Sequence, residues 1–353
     1  MVNDQAAAVY VRTRERLGHV GNLKKEDWMR RRITKLALGL LLGALALVFL
    51  LGAIPGVPNP FVNAFLWGVP VPPQGEVPSP EEGVERVLVL APHPDDEVLG
   101  AGGAIADFAQ RGARILVVYL TNGDANVAAK RLLTASLLHR ATDYRALGYR
   151  RQKEAVLALR ALAGGGGSAL FLGYPDKGLM DLWGAHWETG SPYRSPYTKA
   201  TSSFYHNSFA PQAVYAGQDF LNDLGMVLGR FRPSVVYVPH PDDTHPDHAA
   251  AFLFAREALA ALDPLNAPEV RLYLVHAPHW PGPRGAARAA NLEPPEQERS
   301  WAWESQPLSE RAVAAKLAAL SAYSSQRWTD GRFLARFVRP NEVYAHLSPG
   351  DSP

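Results

Sequence analysis

Cysteine is absent from the 353-residue chain, and this absence excludes three kinds of chemistry at once. Without it the protein has no disulfide bond, no thiolate metal ligand and no cysteine nucleophile. Charge of one sign is also scarce, because 36 basic and 34 acidic residues leave a formal net charge of +2. So small an excess gives no broad basic surface, and we expect no nucleic-acid partner. The sequence indicates no particular oligomeric state.

Charged residues are also missing from one long stretch near the N-terminus, residues 36–54. About 20 apolar residues span the hydrocarbon core of a bilayer. We therefore predict a single transmembrane helix at 34–54, rather than a buried core helix or a cleaved signal peptide, whose apolar part is usually about 7–15 residues. The preceding basic residues are Lys24, Lys25, Arg30, Arg31 and Arg32. Because such residues stay in the cytoplasm, we expect a short cytoplasmic tail at 1–33 and a catalytic domain outside the cytoplasm.

The rest of the chain divides into a linker and one domain. Eight prolines in residues 55–80 predict an extended stalk, which we place at 55–84. From residue 85 to 347, short apolar runs alternate with segments of helical spacing. This alternation predicts an α/β fold with a mostly parallel sheet and helices on both faces.

An insertion at 177–211 interrupts the alternation and is rich in glycine, proline and aromatic residues. Long irregular segments in compact domains are usually functional loops or disordered. Two interpretations stay open, namely a set of rings that stack on sugars and a small surface subdomain with its own aromatic cluster. The rings and imidazoles concerned are Trp183, His186, Trp187, Tyr193, Tyr197, Phe204, Tyr205 and His206.

Two polar clusters each follow an apolar run that predicts a buried strand. The first run, 86–90, is followed by His93, Asp95, Asp96 and Glu97, and the second, 234–238, by the segment His240–His248. Ligands of open α/β sheets bind at the carboxyl ends of the strands. Helix N-caps account for one aspartate in each cluster but not for so many acidic and histidine residues. We therefore expect a functional site built from both clusters.

The residue types in these clusters favour a catalytic metal site. Such a site needs three protein ligands and one open position. His93 and Asp96 stand three residues apart at a strand-to-helix turn, where both can reach one ion, and either His245 or His248 can complete the set. The remaining carboxylates suit a base and acceptors that fix the imidazole tautomers. They are Asp95, Asp242, Asp243 and Asp247.

The paired motifs His93-Pro-Asp-Asp-Glu97 and His245-Pro-Asp-His248 resemble those of the PIG-L/LmbE-like family of zinc-dependent N-acetylglucosaminyl deacetylases. Weaker motifs agree with the resemblance over about residues 85–345. These are Thr121-Asn-Gly-Asp124, Arg151-Gln-Lys-Glu154, Phe171-Leu-Gly-Tyr-Pro-Asp176 and the pattern Lys316…Ala319…Tyr323-Ser-Ser-Gln326. The resemblance implies a Rossmann-like fold and hydrolysis of the N-acetyl amide of an amino sugar.

The resemblance also implies roles for individual residues. Zinc, with Fe²⁺ as a second candidate, would be bound by His93, Asp96 and His248. Asp95 would be the general base. His245, oriented by Asp247, would polarise the tetrahedral intermediate or protonate the leaving amine. Arg151 and Asp176 would contact hydroxyl groups or a phosphate of the substrate.

One position departs from the family pattern. Some members have a tyrosine two residues before the first histidine of the second motif, where it assists the oxyanion; this chain has Asp243. A tyrosine of the insertion can replace it, but the sequence does not single one out. Two further interpretations therefore stay open, namely hydrolysis of another amide at the same site and a degenerate metal-holding module that binds carbohydrate or lipid.

Overall fold

The computed structural model describes residues 72–134, 136–282, 290–295 and 301–347, and nearer the N-terminus residues 32–36, 38–39 and 43. The chain divides into two compact units, Met1–Asn59 and Pro60–Pro353. In the first unit the described residues are helical. Most of the predicted transmembrane helix at 34–54 lies outside the described residues, as do the tail 1–31 and the linker residues 55–71. Of the helices that are described, none combines the length and apolar character needed to cross a membrane.

A seven-stranded sheet forms the centre of the second unit, with the order β3-β2-β1-β4-β5-β7-β6. The strands are β1 (Arg86–Ala91), β2 (Arg114–Thr121), β3 (Gly167–Tyr174), β4 (Val235–Pro239), β5 (Glu269–Tyr273), β6 (Ala302–Pro307) and β7 (Asn341–His346). The first five strands in chain order pair in parallel, whereas β7 is antiparallel to both β5 and β6. The predicted mostly parallel α/β sheet is confirmed.

Helices cover both faces of this sheet. They are α1 (Asp96–Gln110), α2 (Val127–Thr134), α3 (Ala141–Ala163), α4 (Leu179–Trp183), α5 (Gly217–Phe231), α6 (Pro246–Ala260), α7 (Glu310–Ala322) and α8 (Ser324–Leu334). Val87 and Val89 of β1 pack with α1, α3 and α7, while Leu88 and Leu90 pack with α5 and α6. Alternate residues of a strand face opposite sides of the sheet, so β1 is buried on both.

Several elements differ from the sequence-based prediction. The helix α5 begins only at Gly217, since Ala216 before it has an extended backbone, with φ −135° and ψ 150°. The strands β6 and β7 and the helices α2 and α8 were not predicted. In β6 the residues are mostly exposed and polar, so the strand lacks the apolar signal by which the others were recognised.

The aromatic insertion packs on the domain through much of its length. Trp183 and Trp187 contact each other and Phe254 of α6, with ring centroids 5.0 to 6.1 Å apart. Tyr205 is fully buried, and its hydroxyl donates to Asp124 Oδ2 at 2.7 Å. For these three rings the structure favours the aromatic-cluster interpretation over stacking on a ligand.

The described part of the predicted stalk, residues 72–84, has no regular secondary structure before β1. It contacts the domain. Gln74 Nε2 donates to Ser208 O at 3.0 Å, and Asn207 Nδ2 donates to Pro72 O at 3.0 Å. A Cβ at Gly75 would stand 2.4 Å from Ala169 O of β3, so glycine permits this close approach.

Candidate metal centre

The polar residues singled out from the sequence meet at the carboxyl edge of the sheet. His93 and Asp96 follow β1, Asp176 follows β3, and His245 and His248 follow β4 and begin α6. The three strands are parallel members of one sheet. Their following loops therefore lie side by side, as in other open α/β sheets.

Asp96 lies between two histidines at the base of this edge. Its Oδ2 atom is 3.1 Å from His93 Nδ1 and 3.0 Å from His248 Nε2. Both nitrogens of His248 are buried, and neither makes a hydrogen bond of normal geometry. Buried imidazole nitrogens that lie close to carboxylate oxygens without being aligned to donate to them have the geometry expected of ligands that share an ion. The residues of the set predicted from the sequence, His93, Asp96 and His248, thus lie next to one another, and their role as the metal ligands stays a prediction.

The pKa shifts in this cluster indicate that its carboxylates favour a positive charge beside them. Burial lowers the pKa of His248, but the carboxylates of Asp243 and Asp96 outweigh burial and raise it to about 10. Burial likewise raises the pKa of Asp96. The effect of His248 and His93 is larger than that of burial, and it holds the pKa of Asp96 well below its usual range. A divalent cation would offset the burial of the Asp96 carboxylate in the same way as the charged histidines, because it stabilises a carboxylate directly.

Other combinations of the same side chains also come close to one another. Ligand atoms of His93, His245 and His248 lie within 4.8 Å of one another, and so do those of His93, Asp176 and Asp247. His93 Nε2 is 3.1 Å from Asp247 Oδ2 and 3.4 Å from Asp176 Oδ1. His93 thus lies at the centre of the cluster.

Asp243 supports the second half of the site. Its Oδ2 lies 3.0 Å from His248 Nδ1 and accepts hydrogen bonds from the backbone N–H groups of Val275 and His276. Its Oδ1 lies 3.1 Å from His276 Nδ1 and accepts from the N–H of His245 at 2.9 Å. The residue at the position where some relatives of the predicted family have a tyrosine is therefore a buried carboxylate that contacts His276 and lies close to the second nitrogen of His248.

His276 is a site residue that the sequence analysis missed. It follows β5 and lies 4.6 Å from the His248 ring, measured between ring centroids. The signal that could have found it is its place directly after the apolar run 270–275, since the other site residues also follow apolar runs. It was overlooked because it stands alone, without a neighbouring carboxylate.

Asp95 adopts a rare backbone conformation at the N-cap of α1, with φ 122° and ψ −26°. Its N–H donates to Glu97 Oε2 at 3.0 Å, and its Oδ2 accepts from Arg151 Nη2 at 3.1 Å. Burial raises the pKa of the Asp95 carboxyl to about 7, although the charge of Arg151 opposes the shift. A carboxyl group with such a pKa can both accept and release a proton near neutrality.

Arg151 is buried and much of its guanidinium is committed to this loop. Besides Asp95, it donates to Gly123 O at 2.9 Å and to Pro94 O. It thereby joins the loops that follow β1 and β2. The structure places it at the edge of the site cavity, and its predicted contact with substrate stays a prediction.

His245 and Asp247 are arranged differently from what the sequence suggested. The Asp247 carboxylate faces His93 and accepts from the N–H groups of Lys177 and Leu179 at 2.7 and 3.0 Å. Its carboxylate is therefore committed to other partners, and the predicted role of Asp247 in orienting the His245 ring stays a prediction. It is the backbone N–H of Asp247 that donates to His245 Nδ1, at 3.2 Å. Burial, together with the charges of His93 and His248, lowers the pKa of His245 to about 3.

Asp176 closes the opposite side of the cluster. Its Oδ2 accepts from the N–H of Ala125 at 2.6 Å. Burial raises its pKa, but His93 outweighs burial and holds the pKa well below its usual range. These side chains line a cavity of about 450 Å³, within the size range of small-ligand pockets. The remaining wall comes from α8 and from Asn126, Lys177 and His276.

Comparison with known proteins finds relatives of the part of the chain that carries the motifs. A family model described as PIG-L, GlcNAc-PI de-N-acetylase, matches residues 88–259. A 1D-myo-inositol 2-acetamido-2-deoxy-alpha-D-glucopyranoside deacetylase from Catenulispora acidiphila is 30% identical over 206 residues, which are 56% of this chain and 55% of that protein. A diacetylchitobiose deacetylase from Thermococcus kodakarensis is 25% identical over 222 residues, 58% of this chain and 66% of that protein.

The chain thus spans about half to two thirds of the length of these curated relatives. Among solved structures, the conserved protein TT1542 from Thermus thermophilus is 24% identical. The match covers 74% of this chain and 94% of that one, with a TM-score of 0.44.

Proposed function

Because residues 88–259 form a domain of the PIG-L family of de-N-acetylases, we propose that the protein removes the N-acetyl group of an amino sugar by metal-dependent hydrolysis. One observation carries the proposal. Asp95, whose carboxyl pKa is raised to about 7, lines the same cavity as the proposed metal ligands His93 and Asp96. The third proposed ligand, His248, is buried and places its Nε2 atom 3.0 Å from Asp96 Oδ2. A base beside a divalent ion is what hydrolysis of an unactivated amide requires.

Zinc is the metal that we propose, and Fe²⁺ is the second candidate, because two imidazoles and one carboxylate with open positions suit both. His93, Asp96 and His248 would hold it. When bound, the metal supplies Lewis-acid chemistry that makes water more acidic and polarises the acetyl carbonyl. Asp243 would fix the orientation of His248 by facing its second nitrogen.

Asp95 would take the proton of the attacking water and hold it on its carboxyl group. The neighbouring Arg151 fixes the orientation of that carboxyl group through Oδ2. Asp95 would then return the proton to the nitrogen of the leaving amine, which departs only when protonated. A pKa of about 7 suits both halves of this cycle.

His245 would stabilise the developing oxyanion as a neutral donor. Its Nδ1 accepts a hydrogen bond from the N–H of Asp247, so the ring proton resides on Nε2. Its pKa of about 3 keeps the ring neutral near pH 7. Of the two roles that the resemblance implied, oxyanion stabilisation is therefore favoured over protonation of the amine.

Acetate release tests the proposed reaction. The metal-loaded full chain is incubated with N-acetylglucosamine and with N,N′-diacetylchitobiose, and free acetate is measured. Asp95→Asn should lower the rate by about 10² to 10⁴ if Asp95 is the base. Asp242→Asn is the matched control, because this exposed aspartate belongs to the second polar cluster and accepts from Trp301 Nε1. Equal rates in the two variants, with metal content unchanged, would contradict the proposed base.

We also propose that the chain is anchored in a membrane by residues 34–54, with the PIG-L domain outside the cytoplasm. The uncharged run 36–54 and the basic residues before it support this proposal. Detergent should be needed to extract the full chain from cell membranes, whereas a chain from which residues 1–59 are deleted should be released by buffer alone. Release of both by buffer would contradict it.

A further inference from the structure

The helix α2 and the loop after it bury a charged side chain and expose apolar ones. Lys130 of α2 is fully buried, whereas Leu132 of the same helix is 58% exposed and Leu137 in the loop is 67% exposed. A lysine is almost never fully buried unless its charge is satisfied, and neighbouring apolar side chains that face solvent often mark an interaction surface. The proposed deacetylation uses neither leucine.

Lys130 fixes the backbone of the loop that carries Leu137. Its ammonium group donates to Ser136 O at 3.0 Å and to Leu138 O at 2.5 Å, on either side of Leu137. The N–H of Leu138 donates to the hydroxyl oxygen of Ser136 at 3.2 Å. Leu137 is therefore presented to solvent by an ordered loop, and a partner that contacts it does not first have to order the backbone.

The residues around these leucines carry positive charge. Residues 125–141 contain four basic or histidine side chains and no acidic one, namely Lys130, Arg131, His139 and Arg140. Arg131 and His139 are exposed, whereas the flanking acids Asp124 and Asp143 are buried. We call the exposed residues Arg131, Leu132, Leu137 and His139 the α2 surface.

The α2 surface lies beside the opening of the site cavity. Asn126, the residue before α2, lines that cavity, and its Nδ2 donates to Gln326 Oε1 of α8 at 2.8 Å. The exposed charged residues of α8 are Arg327, Asp330 and Arg332. Because two of these three are basic, the neighbouring helix adds to the positive charge on this side of the domain.

Exposed leucines among basic side chains fit the surface of an anionic bilayer. Apolar side chains enter the boundary between headgroups and acyl chains, while arginines stay at the negatively charged headgroups. A second copy of this chain is disfavoured as the partner, because its α2 surface carries the same positive charge.

The length of the linker permits this contact. Residues 55–71 lie between the uncharged run 36–54 and Pro72, the first described residue of the domain. These residues span at most about 60 Å when fully extended. If the run is the anchor proposed above, the domain is therefore held within reach of the bilayer.

We propose that the α2 surface contacts an anionic lipid bilayer, with Leu132 and Leu137 between the headgroups and Arg131 beside their phosphates. This contact goes beyond the proposed hydrolysis and is additional to the proposed anchor. It would place the opening of the site cavity at the surface of the bilayer.

A single fluorescent label tests the contact, because the chain has no cysteine of its own. The full chain with Leu137→Cys is labelled and placed in nanodiscs of phosphatidylcholine, either alone or mixed with phosphatidylglycerol. Quenching is measured with a nitroxide on the lipid acyl chain and with acrylamide in the water. In the mixed nanodiscs we expect the nitroxide to quench the label and acrylamide to lose its effect.

The matched control is Leu265→Cys. Leu265 is a 93% exposed leucine in the segment before β5, so it lies at the opposite edge of the parallel sheet from α2, which follows β2. A label at this position should be quenched by acrylamide in both kinds of nanodisc and by the nitroxide in neither.

The charge of the α2 surface is tested in the mixed nanodiscs. Arg131→Gln should lower the equilibrium constant for lipid contact of the label at position 137 about fivefold, as expected for one basic residue at an anionic surface. Arg160→Gln removes the same charge from an exposed position near the end of α3 and should leave the constant unchanged.

Equal quenching by acrylamide at positions 137 and 265 in the mixed nanodiscs would overturn the proposal. Equal shielding of position 137 in both kinds of nanodisc would also overturn it, since another segment of this chain or a second copy would then cover the leucines. Acetate release from N-acetylglucosamine is measured separately on the Leu137→Cys chain and on the unchanged chain. If neither releases acetate and the label behaves as expected, the bilayer contact stands and the proposed hydrolysis fails.

Discussion

The backbone of Asp95 has a φ of 122°, and polar contacts around the residue keep it in this conformation. Non-glycine residues in such regions cost on the order of 1–3 kcal/mol and persist only where surrounding contacts impose them. Here Glu97 accepts from the Asp95 N–H, and the Tyr323 hydroxyl donates to the other oxygen of Glu97. Burial raises the pKa of Glu97 to about 8, although the bond from Tyr323 opposes the shift. We therefore regard Tyr323 and Glu97 as positioning residues for the base.

Replacing Tyr323 with phenylalanine tests this support. The change leaves one oxygen of buried Glu97 without its donor, which should lower the free energy of unfolding by roughly 1–3 kcal/mol. If Asp95 is displaced as a consequence, kcat should fall about tenfold while KM for N-acetylglucosamine changes little. The matched control is Tyr215→Phe, which removes a buried hydroxyl that donates to Gly173 O. A similar loss of kcat in both variants would show that the effect is general destabilisation.

The sequence predicted the chemistry of single residues better than their partners. His93, Asp96 and His248 meet as expected because each stands in a short motif at the end of an apolar strand. The sequence did not indicate the partners of the Asp247 carboxylate, which are the N–H groups of Lys177 and Leu179, about 70 residues away in the chain. Contacts of this kind have no local signature.

At the scale of elements, β7 holds α1 and α7 together through one buried carboxylate. Glu342 accepts from Lys316 Nζ at 2.5 Å and from the backbone N–H groups of Gly103 and Ala104 at 2.8 and 2.9 Å. Lys316→Met should lower the free energy of unfolding by about 3–5 kcal/mol, because the buried carboxylate loses its counter-charge. Urea denaturation measures the change. Arg256→Gln, at an exposed pair with Glu257, is the control and should cost less than about 0.5 kcal/mol; equal costs would contradict the role of burial.

The helix α5 carries a pH-dependent contribution to stability. Burial raises the pKa of Asp223 to about 6, against the opposing effect of the Tyr174 hydroxyl that donates to it. The folded state binds the proton of the Asp223 carboxyl more tightly than the unfolded chain does. The contribution of this group to the free energy of unfolding is therefore greatest below about pH 4. It should fall by roughly 1–2 kcal/mol between about pH 4 and pH 6, and not further above that range.

Denaturation curves taken at several pH values test this contribution. Asp223→Asn should remove this contribution to the change in the free energy of unfolding between about pH 4 and pH 6. Asp219→Asn, one turn away on the same helix, should retain most of it, because burial raises the pKa of Asp223 more than the charge of Asp219 does. Unchanged slopes in both variants would show that Asp223 does not titrate in the folded protein as described.

The elements that the sequence missed share a physical cause. The strands β1 to β5 contain apolar runs and were recognised, whereas β6 at the edge of the sheet is mostly exposed. The helix α8 has no apolar stripe, with polar or basic residues at most positions. Periodicity identifies elements by the side they bury, and α8 is placed instead by bonds such as that between Ser325 and Glu154 of α3.

For the whole molecule, the metal should couple to folding. An ion that binds only the folded state stabilises it by about 2.7 kcal/mol at one hundred times its Kd. Chelation of the zinc-loaded protein should therefore lower Tm by roughly 5 °C or more. His248→Ala should abolish this response, because both buried nitrogens of that ring are lost from the centre.

The matched variant for the metal experiment is His346→Ala. This histidine belongs to β7 and contacts Glu304, away from the metal-holding loops. Its loss should leave the effect of chelation on Tm intact. A response that survives in His248→Ala would mean that the ion binds through another combination of the clustered side chains.

Two sets of hydrogen bonds also determine when the site can take its final structure during protein synthesis. The Tyr323 hydroxyl donates to Glu97, and backbone N–H groups of α1 donate to Glu342. Residues 88–259 emerge from the ribosome well before these two partners, since the chain is made from its N-terminus. The loop that carries the proposed base therefore remains without its support until more than 60 further residues have been added. A nascent chain arrested at residue 260 would contain every residue of the two metal motifs and still lack the Tyr323 hydroxyl that supports Glu97 beneath Asp95.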